Sequence, residues 1–165
     1  MALFNIPDLR AFLAPNTRLL GLDPGQRTIG LALSDVSLLL ASPYGALKRG
    51  KLALNAAEIA QIAHKEGAGG LVCGLPLSMD GSFGSAAQSA RDWLVALSAA
   101  AGLPAALWDE RLSSSAVNRM LITDLDMTRK RRAAVVDRAS AAYILQAALD
   151  ASRMRPKTDG GRDRV

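Results

Sequence analysis

Cysteine is almost missing from this chain: Cys73 stands alone among 165 residues. A single thiol excludes an intrachain disulfide and leaves no basis for a cysteine-built zinc site. Its setting in Gly70-Leu71-Val72-Cys73 predicts a buried core residue instead. Histidine is equally scarce, and the lone His64, beside Lys65 on a predicted helix, is expected at the surface. Aromatic residues make up 4% of the chain, too few for a row of base-stacking platforms, so Trp93 and Trp108 are read as core. No apolar run approaches the ~18 residues of a membrane span. Residues 1–15 lack the basic start, unbroken apolar stretch and cleavage site of a secretory signal, because Asp8 and Arg10 interrupt them. These absences together predict a soluble cytoplasmic protein with no membrane partner.

What is present is apolar material: 50% of the residues are hydrophobic, enough for the core of one ordinary domain. The formal net charge is +5, which favours polyanionic partners. Its distribution is uneven. Residues 151–165 hold five basic and two acidic side chains, three of the five net charges, so the body is nearly balanced. Three segments are expected: a short leader over 1–17 with a turn of helix, a domain over 18–151, and a basic, disordered tail over 152–165.

Within the domain the apolar pattern alternates in type. Strands are predicted at 18–22, 29–34 and 41–47, the first two joined by a tight turn at Asp23-Pro24-Gly25. Residues 52–65 repeat Leu54, Ala57, Ile59, Ala60, Ile62 and Ala63 at helical spacing. A short strand at 70–74, a helix at 85–101 and a strand at 105–108 follow as βαβ units, and helices are predicted at 113–121 and 128–151, the last capped by Thr128. The order βββαβαβαα implies an α/β fold with a mixed sheet and helices on its faces.

In such a sheet reactive groups gather at the carboxyl ends of strands. Asp23 and Asp109-Glu110 follow strands there, although an Asp before Pro-Gly can be a turn former and a Glu after a strand can be merely solvated. Asp137 is harder to dismiss. It shares a helical face with Ser140, Ala141 and Ile144 in an otherwise apolar helix, and a buried carboxylate must be neutralised, paired or bound to a cation. Arg18 or Arg111 is one possible partner. The other arrangement packs Asp137 over the strand ends bearing Asp23 and Glu110, which would set three hard oxygen ligands around Mg²⁺ or Mn²⁺. A site of that kind hydrolyses phosphodiesters without histidine or cysteine.

Five motifs stand in order along the chain: Gly21-Leu22-Asp23-Pro24-Gly25, Ile29-Gly30-Leu31-Ala32-Leu33-Ser34-Asp35, Gly74-Leu75-Pro76-Leu77 with Met79-Asp80-Gly81-Ser82, Asp109-Glu110-Arg111-Leu112, and Arg129-Lys130 with Val136-Asp137-Arg138. Together they resemble the YqgF-type, or RuvX-like, family, to which both pre-16S rRNA processing and Holliday junction resolution are ascribed. The likeness runs from Leu19 to Asp150. It implies an RNase H-like fold, a catalytic and metal-binding trio of Asp23, Glu110 and Asp137, and endonucleolytic trimming of the 5′ end of a ribosomal RNA precursor, with branched DNA as the other substrate. Three positions depart from the family's habit: Ser78 replaces the usual Asn, Ser113-Ser114 two Thr, and Thr28 a frequent Arg.

The substrate's phosphates are expected on basic and hydroxyl side chains near that trio, namely Arg27, Ser78, Arg111, Arg129 and Lys130. The run Arg129-Lys130-Arg131-Arg132 lies at a predicted helix start, where the macrodipole disfavours positive charge by ~0.3–1 kcal/mol per exposed residue. Phosphate contact explains it better than an idle solvated face. The first hairpin also resembles the phosphate loop of actin-like ATPases and sugar kinases, but those need a second domain for which 165 residues leave no room. A non-catalytic RNA-binding module is the remaining alternative, and a monomer and a homodimer are equally compatible with the sequence.

Overall fold

The computed structural model describes residues 3–75, 84–109 and 129–153, and within these every side chain except those of 75, 109 and 129–138. Its elements in chain order are α1 (Ile6–Phe12), β1 (Arg18–Pro24), β2 (Thr28–Ser34), β3 (Ala41–Lys48), α2 (Leu52–Glu66), β4 (Ala68–Leu75), α3 (Ser85–Ala101), β5 (Ala105–Asp109) and α4 (Arg129–Arg153). The strands form one sheet in the order β3-β2-β1-β4-β5. β1, β2 and β3 pair antiparallel, while β4 and β5 join β1 in parallel through helical crossovers. This is the mixed α/β sheet expected. The helix predicted at 113–121 and the cap at Thr128 lie outside the described residues.

Strand alternation divides the apolar side chains into two cores. Leu20, Leu22, Leu71 and Cys73 point to one face, under Ile59 of α2 and Leu94 and Leu97 of α3. Leu19, Val72 and Ala106 point to the other, against Ala141, Ile144, Leu145 and Ala148 of α4. The sheet is thus covered on both sides, as its parallel half requires. α2 and α3 each stop at a glycine in the left-handed region, Gly67 with φ 74° and Gly102 with φ 73°, where other residues are strained. Gly21 has a different task. A Cβ there would lie 2.9 Å from the Leu145 Cβ and 3.2 Å from the Ala141 carbonyl oxygen, so only glycine lets α4 lie this close to β1.

Several expectations need correction. The first turn is not Asp23-Pro24-Gly25: β1 runs on to Pro24, Asp23 pairs with Gly30, and the turn closes where the Gly25 N–H meets the Thr28 carbonyl at 2.7 Å. Proline ends the strand rather than starting the turn, because a missing N–H is harmless at a ladder's last position. In α2, Leu54 and Ala57 face solvent, and the buried stripe is Asn55, Ala56, Ile59 and Ala63. Asn55 belongs inside because its side chain binds the Gly50 N–H and the Lys48 carbonyl. Before β1, α1 buries Ile6 and Leu9, and Phe4 bridges β5 at Ala106. After residue 151, α4 continues to Arg153 and buries Ser152.

Candidate active site

β1, β4 and β5 run parallel and so end at the same edge of the sheet. Asp23 stands one residue past the Leu22–Cys73 pair, level with Gly74, which in turn pairs with Trp108. β5 ends at Asp109, and Glu110 is the next residue in the chain. The ends of β1 and β5 are therefore two strand spacings apart, about 10 Å. Along β1, Leu19 and Gly21 belong to the α4 side of the sheet, and Asp23 is the next position in that series. On α4, position 137 lies one turn of ~5.4 Å before Ala141, the residue whose carbonyl faces Gly21.

The half-buried Asp23 lines a cleft of about 290 Å³. Its lining includes Gly74 and, on α3, Ala86, Ser89, Ala90 and Trp93, so the cleft sits at the strand edge on the α2–α3 side of the sheet, across from α4. Arg49 completes the rim. The residue follows β3, its N–H donates to the Arg27 carbonyl at 2.8 Å, and its guanidinium donates to the Gly25 carbonyl at 2.6 Å. The same guanidinium sits 5.1 Å from the centre of the Trp93 ring, within cation–π range. Trp93 packs against the α2–α3 core, as expected, and also lines the cleft. Trp108 packs on the α4 side of the sheet, with an indole N–H that is buried and has no hydrogen-bond partner among the described residues.

Of the anticipated site residues, the side chains of Asp23 and Arg27 are described; Arg27 is exposed at the hairpin turn. Arg129, Lys130 and Asp137 lie on α4 with their side chains outside the described set, and Ser78, Glu110 and Arg111 lie outside it altogether. Arg18, weighed as a partner for Asp137, opens β1 at the opposite end of the strand from Asp23, about 16 Å away at ~3.3 Å per residue. It neighbours Asp35 there, whose carboxyl is held below the usual range chiefly by the N–H groups of Leu39 and Leu40. His64 is exposed and Cys73 is fully buried, as their sequence settings suggested. Arg49 was missed. A single arginine after a strand carries no pattern of its own, and only the fold sets it against Trp93.

The donor chemistry at this edge suits a hard divalent cation: a carboxylate at an open strand end, with the lone thiol buried in the opposite core and the imidazole on α2. Among the described residues no three histidine, cysteine or acidic side chains gather, and two members of the expected trio lack described side chains.

A mixed sheet in this order, with an acid next to last in its central strand and a long helix packed against one face, is the RNase H-like fold. The family model described as RuvX, Holliday junction resolvase, matches residues 17–151. The chain belongs to that family. A relative from Gluconacetobacter diazotrophicus, named "Putative pre-16S rRNA nuclease", is 71% identical over 152 residues, which cover 92% of this chain and 99% of the relative. A second of the same name, from Gluconobacter oxydans, is 64% identical over 153 residues, 93% of this chain and 96% of the relative. Among solved structures, Thermus thermophilus RuvC in complex with Holliday junction substrate aligns with a TM-score of 0.49 at 15% identity, covering 84% of this chain and 96% of that one. No helix among the described residues is long and apolar enough to cross a membrane.

Proposed function

We propose that this chain is a cytoplasmic, divalent-metal-dependent endonuclease that trims the 5′ end of pre-16S rRNA. The observation that carries the reading is the acid end of β1. Asp23 lines an open cleft on the strand edge shared with β5, and the close contact at Gly21 brings α4 along the same strand. Glu110 follows β5, and position 137 precedes the contact residue Ala141 by one helical turn. Asp23, Glu110 and Asp137 would hold Mg²⁺ or Mn²⁺, which when bound activates water and stabilises the leaving oxygen.

The protein's own part is to bring the backbone of a nucleic acid to these acids, which repel it. Arg27 at the hairpin, Ser78 and Arg111, which follow β4 and β5 in the sequence, and Arg129 and Lys130 on the first turn of α4 are the groups that would offset that repulsion. α3 helps from the other side. It begins beside the cleft with no acid in its first turn and, among the described residues, no side-chain cap, so the positive end of its dipole would favour an anion there.

The names of the relatives favour the RNA substrate, and the family model's description favours a second reading, resolution of branched DNA. Incubation with Mn²⁺ or Mg²⁺ of an RNA spanning the 5′ boundary of the 16S precursor, beside a four-way DNA junction, separates the two. Cleavage of the RNA at one position is expected. Cleavage of the junction alone selects the second reading, and binding without cleavage of either would leave a non-catalytic nucleic-acid-binding module.

A further inference from the structure

Resting on the nuclease reading, we propose that Arg49 is a substrate-binding residue that grips the phosphate next to the scissile one, with Trp93 as its positioning residue. Three separate elements fix this guanidinium: the end of β3 supplies it, the β1–β2 turn accepts one of its hydrogen bonds at Gly25, and α3 lays the Trp93 ring under it. The result is a half-buried cation on the rim of the cleft that Asp23 lines.

A latch for the hairpin would need less than this. One N–H satisfies the Gly25 carbonyl, whereas a guanidinium carries five in a rigid fork that matches two phosphate oxygens at once. The cation–π contact with Trp93 costs the fork none of its donors. A lysine, strongly hydrated on a flexible stem, would gain less from either contact.

Electrostatics points the same way. A polyanion entering the cleft that Asp23 lines needs a cation beside that carboxylate, near enough to fix the strand's register. Arg27, whose carbonyl accepts from the Arg49 N–H, and Lys48 and Lys51, within two residues of Arg49 in the chain, are exposed as well. They are separate in the chain from the basic run at the start of α4. The ligand class is the phosphodiester backbone of a single strand, recognised without regard to base.

Binding measured by fluorescence anisotropy tests this without requiring turnover. The probe is a fluorescein-labelled RNA across the 16S precursor boundary, synthesised with one methylphosphonate at a time. Arg49→Gln should weaken binding roughly tenfold to a hundredfold at low salt and lower the slope of log K against log salt by about one. One linkage should weaken wild-type binding when neutralised, yet leave the variant indifferent. Should Arg49→Gln fail to fold, Arg49→Lys replaces it: the salt slope stays, but the penalty at that same linkage shrinks. Equal losses at every linkage with an unchanged slope would reduce Arg49 to a hairpin latch and overturn the proposal. Failure of the wild-type protein to bind the RNA at all would instead overturn the pre-rRNA substrate reading, and the proposal with it.

Discussion

At the start of β1 the polar groups tie down a loop, whereas the end of the same strand borders a cleft. Near Arg18, the Ser34 hydroxyl accepts from the Leu19 N–H at 2.8 Å and donates to the Asp35 carbonyl at 3.0 Å. The Asp35 carboxylate takes the Leu39 and Leu40 N–H groups at 2.8 and 3.1 Å. Arg10 reaches the Leu38 carbonyl and the Ser152 hydroxyl, which ties α1 and α4 to a loop whose Leu38 sits at φ 58°, in the left-handed region. Such a conformation costs a non-glycine residue roughly 1–2 kcal/mol, and these bonds hold it in place. At the other end, Asp23 and Arg49 border a cleft of about 290 Å³ instead. Both ends carry an acid and a base, so charge alone does not mark the site. What separates them is that Asp35 is held by the Leu39 and Leu40 N–H groups, whereas Asp23 borders a cavity.

The sharpest way to break this comparison is to remove charge at each end. Asp23→Asn, Glu110→Gln and Asp137→Asn should each lower Mg²⁺- or Mn²⁺-dependent cleavage by more than roughly 100-fold while the melting temperature holds. Asp35→Asn should leave the cleavage rate near wild type in the same assay. Equal losses at both ends would erase the distinction.

A second test addresses the contact that brings α4 beside Asp23. Gly21→Ala sets a methyl 2.9 Å from the Leu145 Cβ, so helix and strand must separate. The expected loss of stability is ~1–3 kcal/mol by denaturant unfolding. Cleavage should fall as well, because the same shift moves position 137 relative to Asp23. A stable variant at full activity would show that the spacing is not needed.

The smallest effect expected belongs to Asp35. Folding holds its carboxyl below the ordinary range through the Leu39 and Leu40 N–H groups, so the stability it contributes is fully present above about pH 4 and is lost as pH falls through the lowered value. Asp35→Asn keeps an acceptor oxygen but does not titrate. Its melting temperature should therefore fall less steeply with acid than that of the wild type, which a thermal series from pH 5 to pH 2 would show.

The strands were legible because their apolar runs are short and bounded by Gly and Pro, and α4 because its apolar face repeats over many turns. The hairpin turn was misplaced by two residues since Pro-Gly reads locally as a turn, while pairing across to Ile29 and Gly30 extends the strand through Pro24. Local pattern also failed at Leu54, which helical spacing placed in the core and the fold leaves 63% exposed. At the site, Asp23 could be singled out by its place after a strand. Arg49 and Trp93 could not, as 44 residues separate them in the chain and their meeting depends on α3 folding back over the sheet.

The sheet has two outer strands, and they are guarded differently. β3 carries Pro43, a bulge in its pairing with β2 and exposed side chains along its length. On β5 the guard is the segment before α1, where the Phe4 N–H donates to the Ala105 carbonyl at 2.9 Å. A bare β5 would offer apolar alanines and unpaired backbone to any passing strand, the usual beginning of edge-to-edge aggregation. Residues that look dispensable to catalysis at the front of the chain thus cover part of an outer strand, and their removal should be felt first as lost solubility.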